Sequence, residues 1–139
     1  MARTFSPRQP TLGKVGFVRT KVTYAQENTV VDFGRLPPYA SVIGGGVHVL
    51  TAFADSGTDT LDVGFRGGSA TDDPNAYATL LDIGAVGMIV LDELAATTNI
   101  INTLPVILTW TYNGQNNNAT AGVAYLTVIY TVGALDGSS

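Results

Sequence analysis

The 139-residue sequence contains no cysteine. Disulfides, thiolate nucleophiles and cysteine-based zinc sites are therefore excluded, and the redox compartment leaves no mark on the chain. Histidine occurs once, as His48, and charged residues make up only 13% of the sequence. A transition-metal site would have to rest on carboxylates, a poor ligand set for zinc. No apolar run reaches the roughly 18 residues of a spanning helix. The polar opening MARTFSPRQP lacks the apolar stretch of a secretory signal. The expectation is a soluble protein with no cleaved leader and no membrane partner.

What charge there is lies unevenly. Residues 1–35 hold six basic groups against two acids, a net of +4, while residues 36–139 hold one basic group against nine acids, a net of −8. This reads as a basic arm on an acidic body. Such a body repels phosphate, so nucleic acid is not expected as a partner. An acidic protein surface, that of a neighbouring copy included, suits the arm better.

Most of the chain after residue 14 consists of β-branched and aromatic runs parted by Gly, Pro, Asn and Asp clusters. That pattern predicts an all-β protein with strands near 15–24, 28–34, 40–53, 60–66, 85–91, 95–102, 104–112 and 121–132. Val47, Val49 and Phe53 share one face by period two, as do Leu61, Val63 and Phe65, and Val106, Leu108, Trp110 and Tyr112. The leading architecture is a jelly-roll β-sandwich of about eight strands. In DDPNAYATLLDIG, Asp73 as cap, Pro74 at the first turn and Gly84 as terminator predict one short helix. The domain reading is an extended basic N-terminal arm over 1–14, the sandwich over 15–133 and a flexible tail over 134–139.

The last strand, AGVAYLTVIYTV, is apolar on both faces. Val123, Tyr125 and Ile129 point one way, and Leu126, Val128, Tyr130 and Val132 the other. A strand of this kind needs cover on both sides. Two readings stand for the second cover: another subunit, or the arm or a loop of the same chain. Leu126, Val128, Tyr130 and Val132 are expected to form a subunit interface.

Three consecutive glycines, Gly44, Gly45 and Gly46, interrupt PPYASVIGGGVHVLTAF. A phosphate-cradling loop needs a helix after it and usually a lysine, but a strand follows and no lysine occurs beyond Lys21. The glycines are expected to mark a bend in a long strand that crosses from one sheet to the other. His48 reads as a hydrogen-bonded strand residue. The acids Asp55, Asp59, Asp62, Asp72 and Asp73 do not have the spacing of an EF-hand loop and read as turn and cap residues, with a weak calcium site as the alternative. Trp110 and Tyr112 beside Asn116–Asn118 could form a sugar platform, although aromatics at alternate strand positions more often fill a core. Asn118-Ala119-Thr120 formally matches a glycosylation acceptor. No nucleophile with a base, no metal cluster and no cofactor loop emerges, so no catalytic residue, metal or cofactor is expected.

The stretches LPPYASVIGGGVHVLTAFADSGTDTLDVGF and DDPNAYATLLDIGAVG, followed by a last hairpin ending in an aliphatic strand, resemble small jelly-roll structural proteins of tailed bacteriophages. Capsid decoration, or cement, proteins are the nearest functional group, and the resemblance spans about residues 30–132. It implies a non-enzymatic homotrimer on the outer surface of the phage head, made in the host cytoplasm. Its partners would be its own copies and the major capsid protein, whose neighbouring subunits it would bridge to stabilise the shell. In that setting the arm residues Arg3, Phe5, Arg8, Lys14 and Arg19 would touch capsid or a neighbouring trimer. Head fibres and tail or baseplate modules use similar sandwiches and form the alternative, together with a carbohydrate-binding module.

Overall fold

The computed structural model describes residues 14–132. Eight strands run in chain order: β1 (Lys14–Thr23), β2 (Val30–Leu36), β3 (Ala40–Thr51), β4 (Asp59–Arg66), β5 (Asp73–Asp82), β6 (Gly87–Val90), β7 (Val106–Gly114) and β8 (Val123–Val132). They form two four-stranded antiparallel sheets, one in the order β1-β8-β3-β6 and the other β2-β7-β4-β5. This alternation of strands between two layers is the jelly-roll order, and the sandwich expected from the sequence is the one observed. A 3-10 turn, Tyr24–Gln26, links β1 to β2.

The core lies where period two places it. Val47, Val49, Leu61, Val63, Leu108 and Tyr112 are fully buried between the sheets, with Phe53, Phe65, Val106 and Trp110 nearly so. Phe53 and Tyr112 meet edge to face with centroids 4.8 Å apart, a favoured geometry for the ring quadrupoles.

Four expectations change. Residues 73–82 form β5, not a helix. Asp73 does accept a hydrogen bond from the backbone N–H of Asn75 at 3.2 Å, but this local turn leads into a strand. Ala76, Tyr77 and Ala78 are all buried. The glycine of β4, Gly64, lets the Asp73–Pro74 backbone press against it: a Cβ there would overlap the Asp73 and Pro74 carbonyl groups. Residues 95–102 form turns instead of a strand. Asn99 Nδ2 donates to the carbonyls of Val42 and Leu94 at 3.1 and 2.7 Å, and Asn102 Oδ1 accepts from the Ala70 N–H at 2.9 Å. Side-chain amides thereby take the place of ladder partners.

The glycine run does not carry β3 across to the other sheet. β3 pairs with β8 along its whole length, and the ladder slips at a bulge between Val42 and Gly44. Gly45 adopts φ +131°, where a Cβ would collide with the Thr127 carbonyl, and a Cβ on Gly46 would lie 2.6 Å from the Ile89 carbonyl oxygen. The glycines therefore allow close approach of three backbones.

Lastly, Leu126 and Val128 are 0% exposed, packed in the chain's own core. Tyr130 and Val132 lie half-buried against the same core. This is the inward face of β8, so Leu126 and Val128 cannot serve as a subunit interface. The face left outward is that of Val123, Tyr125 and Ile129. The tail (134–139) and all of the arm but Lys14 lie outside the described residues. Lys14 is the first residue of β1.

Two substitutions test this packing. Leu126→Ala is expected to cost about 3 kcal/mol through lost transfer and a residual cavity. Gly45→Ala is expected to cost about 2 kcal/mol from backbone strain and collision. Both are read as shifts of the denaturant midpoint. A change below about 0.5 kcal/mol, the range of a neutral surface substitution, would contradict the assignment.

Candidate interaction face

The four strands of the first sheet, KVGFVRTKVT, ASVIGGGVHVLT, GMIV and VAYLTVIYTV, contain no acidic residue. The ladder registers set their outward side chains in rows. Phe17, Ile129 and Gly44 form one row; Arg19, Thr127, Gly46 and Val90 the next; Lys21, Tyr125, His48 and Met88 a third. Val15, Phe17, Met88 and Val90 are 71%, 68%, 69% and 72% exposed. Large apolar side chains this open, grouped on one sheet face, mark a contact surface. The glycines that let the backbones close up also leave the centre of the face without side chains. The result is a groove of about 410 Å³ lined by Arg19, Gly45, Gly46, His48, Met88, Tyr125, Thr127 and Ile129. Arg19 lies over the Tyr125 ring, 4.4 Å from its centroid, a cation–π contact that holds the guanidinium at the groove rim.

The second sheet presents a different outer surface. Its strands carry Asp32, Asp59, Asp62, Asp73 and Asp82 against Arg35 and Arg66. Arg66 pairs with Asp32 through Nε at 2.9 Å and Nη2 at 2.5 Å, and the Arg66 partner holds the Asp32 carboxyl below its usual range. Asn113 donates to Asp62 at 3.1 Å. One outer face is apolar and basic, the other polar and acidic.

Among the arm residues named from the sequence, Arg3, Phe5 and Arg8 lie outside the described residues. Lys14 and Arg19 are exposed on β1, at the edge of the apolar sheet. His48 is exposed on the same sheet, which offers no carboxylate to make it a catalytic base. Trp110 is 2% and Tyr112 0% exposed, so neither can stack on a sugar, and the carbohydrate platform is withdrawn. Met88 and Val90 were not named from the sequence. Their signal was the alternation in GMIV, which is too short to separate two faces.

Comparison with solved structures places this fold among known ones. A chain in the capsid of Ralstonia phage GP4 superposes with a TM-score of 0.62 at 21% identity, covering 97% of this chain and 92% of that one. A chain in the cyanophage Pam1 capsid asymmetric unit gives 0.61 at 20% identity, covering 94% of each. A chain in the acidic stable capsid structure of Helicobacter pylori bacteriophage KHP30 gives 0.60 at 16%, covering 87% of this chain and 94% of that one. The likeness is one of fold. No protein-family model and no curated protein matches the sequence.

The loop end of the sandwich offers the other candidate, and most of its polar groups are already paired. Asp55 accepts from the backbone N–H groups of Gly57 at 2.7 Å, Asn116 at 3.0 Å and Asn118 at 3.1 Å. Tyr112 donates its hydroxyl to Asp59, which also accepts from the Asp55 N–H at 2.9 Å. Among the described residues no group of three or more His, Cys, Asp or Glu is placed to hold a metal ion. Glu27 Oε1 accepts from the Ala119 N–H at 2.9 Å, whereas Oε2 is buried with no donor beside it. Its neighbour is the Asp55 carboxylate. Burial and that carboxylate raise the Glu27 carboxyl. The hydrogen bonds from Glu27 and the three backbone N–H groups outweigh the cost of burial and hold Asp55 down at about 2. The opposite directions of the two shifts mean that, as pH falls, Glu27 takes up its proton before Asp55 does.

The pH dependence follows from the two directions. Asp55, lowered from 3.8, contributes stability above 3.8 that is lost as pH falls toward about 2. Glu27, raised from 4.5, contributes stability below 4.5 that is lost as pH rises through its folded value. Glu27→Gln supplies a permanent N–H donor to Asp55. Its thermal midpoint should match the parent near pH 4.5 and exceed it at pH 8. Identical curves from pH 4.5 to pH 8 would rule out the shared proton.

Proposed function

We propose that the protein is a non-enzymatic structural component of a tailed-phage virion. In this reading it is a decoration protein that trimerises on the outer surface of the head and bridges neighbouring capsid subunits. One observation carries the reading: whole-chain likeness to chains in three phage capsid structures, each matched over more than nine-tenths of its own length. The likeness runs over most of both chains, so the matched chains are of about this chain's size. A small add-on to a shell fits that size.

Two features of the surface support the assembly. An uncovered apolar sheet suits permanent burial against other protein. The basic residues of the first 35 positions (Arg3, Arg8, Lys14 and Arg19 among them) suit an acidic surface on the shell, reached by the arm with Phe5 as its apolar anchor. Contacts of that kind add salt-sensitive attraction to the apolar association. A head fibre, tail or baseplate module is the second reading, favoured by the same sandwich and the same open face.

A virion reconstruction separates the two. Density for this chain is expected on the outer face of the head, in threefold groups. Density confined to the tail or baseplate would overturn the decoration reading. Heads stripped of the protein should rebind it to saturation and regain resistance to heat, and the affinity should fall steeply with added salt.

A further inference from the structure

We propose that the groove on the first sheet is a socket for Leu80 of a second copy, so that copies join head to tail. The inference rests on the self-association in the reading above and adds which two surfaces meet.

Leu80 lies in edge strand β5 with φ +52° and is 62% exposed. A leucine in the left-handed region is strained, and its side chain recovers little burial within its own chain. Two carboxylates hold it there: Asp62 accepts from the Leu80 N–H at 2.7 Å, and Asp92 accepts from the Thr79 N–H at 3.0 Å. The backbone thus displays an apolar knob bracketed by acids. Strain fixed by neighbouring groups at an exposed apolar residue points to a contact made outside the chain.

The socket is the complement of this knob. Its floor is the bare backbone at Gly45 and Gly46, its walls include Met88 and Ile129, and Arg19 stands at its rim. Charge decides among the occupants. Two copies packed by the same face would set Arg19 and Lys21 against their own kind, at a cost. Residues 1–13 carry Arg3 and Arg8 and no acid, so they share the socket's sign. The knob, with Asp62 and Asp92, is of opposite sign. A contact between unlike surfaces is heterologous, and it closes into a ring when its rotation permits, three copies for a threefold.

Sedimentation velocity on the full chain tests this with three variants. Arg19→Glu and Leu80→Gly should each weaken self-association at least tenfold, the range of a central interface contact. Leu80→Gly should keep or raise the thermal midpoint of the fold, because glycine takes φ +52° without strain. Combining Arg19→Glu with Asp92→Lys should restore association to within about threefold of the parent. The proposal fails if the parent chain is monomeric at tens of micromolar, or if Leu80→Gly or Arg19→Glu associates as the parent does. It also fails if the two variants lose binding to phage heads while self-association stays intact, since the face then serves the shell. Self-association through these residues in a protein that binds no head would uphold the proposal and remove the decoration reading.

Discussion

A two-layer sandwich covers one face of each sheet, and in this protein one sheet is apolar on both. Inward, Val22, Val47, Val49, Leu126 and Val128 complete the core. Outward, Val15, Phe17, Met88 and Val90 stand in water with Ile129 and Tyr125 between them. Every methylene left there forgoes about 0.8 kcal/mol of transfer free energy. The remainder of the molecule is organised around that deficit. The glycine bulge of β3 hollows the face, its basic residues give it a sign, and the opposite sheet carries the complementary charge.

The charge asymmetry in the sequence has a different meaning in the fold. Arg19 and Lys21, and Lys14 before them, belong to β1, whose neighbours in the sheet bear no acid. Arg35 falls in β2, on the acidic sheet. A division that reads along the chain as arm against body is therefore, in part, a division between two sheets. Segregation of this kind favours contacts between unlike surfaces and disfavours two like faces meeting.

Period two made most of the fold legible. The alternations at Val47–Phe53, Leu61–Phe65 and Val106–Tyr112 needed no tertiary information, because side chains on one face of a strand share one environment. Three of the readings that failed did so for reasons that lie in the sequence. Asp73-Pro74 carries the same hydrogen-bonding chemistry at a helix cap and at a turn into a strand, and only the close backbone approach that Gly64 allows selects the second. The β-branched residues of 95–102 look like a strand, but Asn99 and Asn102 take the backbone partners a ladder would use. β8 has aliphatic residues on both faces, so hydropathy cannot choose the inward one. That choice comes from the register against β1 and β3, which sets Leu126 opposite Val47 and Thr20. The open face itself was legible as a strand needing two covers. Met88 and Val90 join it only through the pairing of β6 with β3.

The two ends of the polar inventory point to the same kind of work. At the loop end Asp55, Asn116 and Asn118 use their hydrogen-bonding capacity on one another and on nearby backbone, and Ser56 Oγ accepts from both Asn116 and Asn118. Asn28 donates to the Gly114 carbonyl and accepts from the Gly114 N–H. Trp110 and Tyr112 are buried beneath them. A site for a small polar ligand needs convergent groups left open to it, and these groups are already engaged with their own chain. The unsatisfied part of the molecule is instead broad and apolar, with charge at its rim. Such a surface gains little from a small solute and much from a matching protein face.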